Sequence, residues 1–532
     1  MVLITSCTKI GNYAEERADR AAYGNVQGAQ LKAMGSAEHF SISEAHDNLL
    51  HGLLEIDRNQ EEAQILSLAD TLALAMANSR SYQTQKESLF IQALNLTETQ
   101  KDFNWDYSAS AGASTAYTTF GDGTAETFGD NGIGASFAAG VSRQLASGAR
   151  ISLGFAQSYV NLLTDPNTSS SDNTLSLNVV QPLLNGFGPL VTKEPLRQAE
   201  RDMVYSVRDF KRFQQDFVID IASRYYETLQ SRDQLINERR NFESAVANRE
   251  QTEAMAKAGR IKEFEAAQAQ QSELNAADRL TLSVSSYQAA LDDYRFSLGI
   301  PIDLHVEPDP KELESLVDRG LVVLDMDLSD ALKSALTNRL DLINQREQVE
   351  DRERRLEIVR RDFLPKLDAE YDVSASPSGV LSGENVDQSL SVRLNLPFDW
   401  TEKRNNYRIA QINLDREIRS LGADEDNIRR NVRDLWRRLE RNRSVYKNRQ
   451  LSVKLSERRV ENTEMLLQQG KVQTRDLLEA QDDLLSSRNQ ATTALVDYTI
   501  NRLRFWNAIE RFEIDPKGMW YEQSIKKPVK QP

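Results

Sequence analysis

Two stretches break a long helical pattern at a single glycine and then restart it in the same way. They are Ala256 to Gln270, AKAGRIKEFEAAQAQ, and Gln468 to Gln481, QQGKVQTRDLLEAQ. In both, the glycine (Gly259, Gly470) is followed six residues on by an acid (Glu265, Asp476) and at ten and eleven by Ala-Gln (Ala269-Gln270, Ala480-Gln481); the copies lie 211 positions apart. A helix broken twice in one manner reads as a duplicated unit. Ahead of each break runs a long helical pattern. The first spans about Thr192 to Lys257, with Phe210, Phe213, Phe217, Ile221 and Tyr225 spaced by three and four; the second spans about Glu402 to Gln469. Val432, Leu439, Tyr446, Val453, Val460 and Leu467 recur every seven residues in the second, a stripe that packs helices side by side with a left-handed supercoil. At 1.5 Å per residue each pattern is about 100 Å long, far more than a globular core requires. Return helices are expected over Lys262 to Leu298 and Thr474 to Glu510, where Tyr287 matches Tyr498 under the same offset.

The period changes to two elsewhere. Phe103, Trp105 and Tyr107 alternate with polar residues, a hairpin is expected from Gly134 to Leu145 and Arg150 to Asn161 with a turn at Ser147-Gly148, and Leu175, Leu177 and Val179 lead to Pro182. In the second half Leu367, Ala369, Tyr371, Val373 and Ala375 alternate with Lys366, Asp368, Glu370, Asp372 and Ser374; Leu390, Val392, Leu394 and Leu396 lead to Pro397. These are strands with one wet and one dry face. A carboxylate-bearing face cannot line a dry core and fits a barrel with water inside. Phe103, Trp105 and Tyr107 read either as a membrane-interface girdle or as one side of an edge strand.

Other segments follow the same duplication. Leu68 to Asn78, within a helix expected over about Glu61 to Leu94, shares Leu, Asp, Leu and Asn with Leu328 to Asn338. Relative to the second half, the first carries 45 more residues between this helix and the end of its last strand. The hairpin at Gly134 to Asn161 is the extra element expected among them, either lengthening a strand pair or adding an extracellular feature. The organisation expected is an extended arm over residues 1–60, a first repeat over 61–301, a linker over 302–327, a second repeat over 328–511 and a polar tail over 512–532.

Composition narrows the function. A formal charge of −15 opposes phosphate binding, so nucleic acid is not an expected partner. No apolar run is long enough for a transmembrane helix, which leaves a closed β-barrel as the route into lipid. The four histidines, His39, His46, His51 and His305, fall at no metal-ligand spacing, and one cysteine cannot build a disulfide or a cysteine-rich zinc site. No P-loop and no Gly-x-Gly-x-x-Gly after a strand is present, and the acid pairs are too numerous to single out a hydrolytic dyad. No enzyme activity, cofactor or metal is expected. Ile4-Thr5-Ser6-Cys7 resembles the lipobox of bacterial lipoproteins, but only a stub precedes the cysteine, shorter than the apolar segment of a signal peptide. Cys7 is thus either a lipidation site or an incidental thiol near a terminus.

The paired glycine turns, the strand pairs ended by Pro182 and Pro397, and the two Leu-Asp-Leu-Asn helices together resemble the TolC-like outer-membrane efflux protein family. The resemblance runs from about Glu61 to Phe512. It implies an α+β membrane protein, in which three copies each give four strands to one transmembrane β-barrel and their long antiparallel helical hairpins form a periplasmic α-barrel. The implied function is a passive exit duct of a tripartite efflux pump or type I secretion system, located in the outer membrane and reaching into the periplasm. Its implied partners are two further copies, a periplasmic adaptor (membrane fusion protein), an inner-membrane transporter and outer-membrane lipid.

By resemblance, Gly259 and Gly470 are the tip turns where the adaptor docks. Asp476 and Glu479 are the channel gate, with Glu265 as the weaker counterpart because Gln268 replaces its second acid. Three residues apart, Asp476 and Glu479 share a helix face; in a trimer they form two stacked acidic rings, whereas in isolation the same pair is an ordinary solvated face. Leu467 and Val472 flank Gly470 where some members carry polar or basic residues that lock the closed state. A reading of another class is a non-transporting coiled-coil scaffold or adhesion protein with a small β-domain.

Overall fold

A computed structural model describes residues 2–42, 63–121, 127–162, 169–322, 324, 326–376, 386–515 and 519–522. His46, His51, residues 377–385 between the two strands expected in the second half, and the tail beyond Glu522 lie outside the described residues.

The first half comprises α1 (Val2–Met34), β1 (Gln64–Leu66), α2 (Leu68–Asn78), α3 (Arg80–Lys101), β2 (Asp106–Gly121), β3 (Thr127–Gln144), β4 (Arg150–Leu162), β5 (Ser169–Pro182), a single turn α4 (Pro189–Thr192), α5 (Glu194–Lys257) and α6 (Glu263–Leu298). It is followed by β6 (Val306–Pro308), α7 (Pro310–Arg319), α8 (Leu328–Asn338), α9 (Leu340–Arg361), β7 (Lys366–Ala375), β8 (Val386–Asn395), α10 (Thr401–Gln468), α11 (Thr474–Ala508), β9 (Phe512–Ile514) and β10 (Trp520–Glu522).

The duplication is plain in the element lengths. Helices α2 and α8 each have 11 residues, α3 and α9 each have 22, and the return helices α6 and α11 have 36 and 35. The single helix expected over Glu61 to Leu94 is instead β1, α2 and α3. The break is local: Ser79 caps α2 in an extended conformation, donating its N–H to the Ala75 carbonyl, and α3 restarts at once.

Within the extended arm expected over residues 1–60, Val2–Met34 is helical instead. Small side chains, not a strong apolar stripe, bury its inner face: Ala22, Val26 and Ala29 are at most 5% exposed. Asn25 donates to the Ala93 carbonyl (3.2 Å) and to Thr97 Oγ1 (2.9 Å) of α3, and Tyr23 packs on Phe90 with ring centroids 5.2 Å apart. Gly24 and Gly28 lie inside this helix with open space around them. Cys7 falls within α1 as well, its side chain outside those described.

The chain divides into two units. One holds Met1–Phe40, Leu89–Val207 and Gln345–Leu421; the other holds Ser41–Ser88, Arg208–Asn344 and Gly422–Pro532.

The first unit contains one six-stranded antiparallel sheet in the order β2-β3-β4-β5-β7-β8. This corrects both the four-stranded expectation and the two alternatives for the extra hairpin. Strands β3 and β4 enter the sheet sideways, β3 bonding to β2 and β4 to β5. Helices α5 and α9 are joined by a largely buried ionic cluster. Asp351 of α9 accepts from Tyr205 Oη (2.7 Å) and pairs with Arg201 (2.5 Å) and Arg354 (3.0 Å), while Arg354 also holds Glu194 (2.7 Å).

The second unit is built on the hairpins of α5 with α6 and α10 with α11. Tyr225, Tyr294, Leu298, Leu503 and Phe505 are fully buried at its centre. Within the linker, β6 pairs in parallel with β1, and the Tyr225 hydroxyl donates to the Leu66 carbonyl while accepting from Asp309 N–H. The repeat-related tyrosines both reach this linker: Tyr287 donates to Glu307 (3.0 Å) and Tyr498 to the Val322 carbonyl (2.6 Å).

Candidate functional site

The two glycine turns are built from the same hydrogen bonds. Gly259 donates to the Ala256 carbonyl and Arg260 to the Met255 carbonyl, both at 2.9 Å; Gly470 donates to Leu467 at 2.9 Å and Lys471 to Leu466 at 3.0 Å. This is the Schellman closure of a helix. It requires a left-handed residue after the last turn, and Gly259 and Gly470 supply it with φ of 67° and 70°. Each turn is exposed, and a side chain added at either glycine would meet open space.

The acid six residues after each glycine takes the third position of the return helix, where a carboxylate faces unpaired N–H groups and the positive helix end. Asp476 forms a capping box with Gln473, accepting from its backbone N–H at 3.0 Å. Glu265 accepts instead from the Thr474 hydroxyl at 3.3 Å, linking the two hairpins.

Glu479 lies one turn beyond Asp476 and pairs with Arg459 of α10 at 3.2 Å; the same guanidinium contacts Asp483. The sequence reading did not single out Arg459. It lies 11 positions before Gly470 and Asp483 lies 13 after it, so folding the hairpin about the glycine would have brought them together. Farther along α11, Asn489 and Gln481 bond to Asn237 (2.9 Å) and Asn248 (2.6 Å) of α5. The hairpins are therefore joined by polar contacts. Burial raises the Glu238 carboxyl above its ordinary range, opposed by Arg279, which also pairs with Asp482 at 3.0 Å.

The sheet presents a second candidate surface. Residues directly opposite in an antiparallel ladder share a face. One row crosses five strands as Tyr107, Val141, Leu153, Leu177 and Val373, and a neighbouring row runs Ala109, Ala139, Phe155, Leu175, Ala375. Rows on the other face are polar: Asp106, Ser142, Ser152, Asn178, Asp372, Ser389. On that face Asn178 donates to Asp372 at 2.6 Å and Arg393 pairs with Glu370 at 3.2 Å.

Aromatic and aliphatic side chains crowd the strand ends nearest the helices. Trp105 stacks beneath Arg143 (5.4 Å), Trp400 stacks on Phe363 (5.8 Å), and Phe187, Leu396 and Phe398 are exposed. Phe103 itself is in a turn, whereas Trp105 and Tyr107 precede and open β2, with Tyr107 77% exposed. Such a rim beside an apolar face is the pattern of a membrane interface.

Residues 331–509, inside the second repeat, match the family model for outer membrane efflux proteins. No curated protein matches the chain by sequence. Among solved structures, the Campylobacter jejuni CmeC outer membrane channel is 15% identical with a TM-score of 0.60, covering 90% of this chain and 91% of that one. The Vibrio cholerae outer membrane protein VceC is 12% identical with a TM-score of 0.61, covering 83% and 95%. The open state of the Neisseria gonorrhoeae MtrE outer membrane channel is 15% identical with a TM-score of 0.59, covering 83% and 88%. The second repeat thus matches the outer membrane efflux protein family, and the chain shares the fold of these solved outer membrane channels over most of its length.

Proposed function

We propose that three copies of this chain form a passive outer-membrane exit duct, which receives cargo through a periplasmic adaptor from an energised inner-membrane transporter. The observation that carries this reading is the two-faced sheet with unpaired edges. Its apolar rows face outward to lipid, its polar rows face an aqueous lumen, and β2 and β8 each leave a bare strand edge that cannot persist in a bilayer. Closure by neighbouring copies satisfies both edges. An even strand count per copy keeps the ladder antiparallel where β8 of one copy meets β2 of the next. A soluble scaffold would have no use for exposed rows of Leu390, Val392 and Leu394.

In this reading Gly259 and Gly470 are the adaptor-docking turns, and Asp476 with Glu479, assisted by Glu265, are the gate acids. Cys7, where acylated, adds a lipid anchor. The cargo is set by the inner-membrane partner. The test is fractionation: heat-resistant trimers in the outer membrane, and efflux lost on gene deletion and restored by the full chain. A soluble monomer that restores nothing would refute it.

A further inference from the structure

We propose that this chain closes an eighteen-stranded barrel, six strands from each of three copies, and that the hairpin β3–β4 sets the width of its pore. The proposal rests on the trimeric reading above.

The hairpin is part of the wall. Strand β3 is bonded to β2 from Thr127 to Ser142 and to β4 from Gly132 to Gln144, and β4 is bonded to β5 from Arg150 to Asn161. A loop decorating the barrel mouth would leave β2 and β5 paired with each other, yet the sheet order puts two strands between them. The turn at the helix end is fixed too: Gly188 donates to the Ser147 carbonyl at 3.0 Å, and a Cβ on Gly148 would lie 2.5 Å from the Gly186 carbonyl.

The hairpin also obeys the sidedness of the rest of the sheet. Ile133, Phe137, Val141, Ile151, Leu153 and Phe155 share the face of Leu175, Leu177 and Val179. This is what lipid requires of a wall strand and what an extracellular flap does not.

Its inner face carries a run of very small side chains. Gly112 faces Ser136, Gly134 faces Ser114, Gly140 faces Ser108 and Gly154 faces Ser176, and an added Cβ would come within 2.9–3.2 Å of each serine oxygen. The strands that widen the barrel therefore do not refill it. Barrel diameter grows roughly linearly with strand number, and barrels of about 18 strands hold an aqueous channel. Relative to twelve strands the wall is about 1.5-fold wider. A wider bore, with small Ser and Gly side chains along β3 and β4, admits bulkier hydrated solutes and sorts them there by size.

The test uses purified full-length protein and a variant lacking residues 127–162, in which β2 and β5 run antiparallel and can pair directly. Electron cryomicroscopy of the full-length trimer is expected to show eighteen strands, six per copy, and the variant twelve. In planar bilayers, neutral polyethylene glycols added from the barrel side are expected to enter the full-length pore up to about 1.5-fold the radius excluded by the variant. A full-length trimer with twelve strands and the hairpin outside the wall would overturn the proposal and leave the duct intact, as would an unchanged polymer cutoff in the variant. Full-length protein that forms no trimer would overturn the duct reading, and the proposal with it.

Discussion

Substitutions at Gly470 separate the cost of the turn from the cost to docking. The residue sits at φ 70° with nothing within 4 Å of an added Cβ, so only the left-handed backbone penalises a side chain there. That penalty is about 1–2 kcal/mol for an ordinary L-residue and less for asparagine. Against a folding free energy of about 5–15 kcal/mol, the fold tolerates Gly470→Asn, Gly470→Ala and Gly470→Trp alike. If the turn is the adaptor's seat, efflux falls with the bulk of the side chain: Asn and Ala retain most of it and Trp abolishes it, with heat-resistant trimers equally abundant in all three. Gly259, at φ 67° and equally open, is expected to give the same order. Drug accumulation in cells carrying the adaptor and pump is the assay, with trimers counted on unheated gels. Efflux that tracks left-handed propensity, with Ala and Trp equally impaired and Asn spared, would refute the docking role, as would full efflux with Trp.

Further expectations concern the gate and the fold. Asp476→Ala with Glu479→Ala is expected to weaken cation preference in single-channel recordings, and Arg459→Ala, which uncovers Glu479 from its 3.2 Å partner, to strengthen it; selectivity unmoved by both would exclude these acids as the gate. Gly299→Ala is expected to destabilise by roughly 2–5 kcal/mol from left-handed strain and overpacking combined, because Gly299 has φ 74° and its added Cβ would run into the Asn78 carbonyl; loss of heat-resistant trimers would report it. For Glu238 the folded carboxyl titrates above its unfolded value, so its ionised form weakens the fold at neutral pH and the effect fades as pH falls below the unfolded value. Glu238→Gln is therefore expected to raise the urea midpoint at pH 7 and to leave it unchanged near pH 4 or below, about where a free glutamate is protonated.

Much of this architecture was legible because long elements carry many repeats of one period. The boundaries expected for the four long helices fall within two residues of those of α5, α6, α10 and α11. Helix α1 was hidden because its inner face is alanine, valine and glutamine, which give little periodic signal until α3 is placed against them. Strand alternation showed which residues share a face but carries no information on which strand lies beside which. The sideways entry of β3 and β4 is a property of the ladder alone. Asp476 and Glu479 were singled out by the resemblance, which could not show that Asp476 also closes a capping box or that Arg459 answers Glu479. Both depend on contacts made across the turn.

The central claim is that this chain makes a water-filled path through a bilayer. Its most direct test is the single-channel current of purified, full-length trimers in a planar bilayer. Discrete, cation-preferring openings that are absent from a matched preparation lacking the protein are expected. A silent bilayer into which trimers have demonstrably inserted, at every voltage and pH tried, would contradict it.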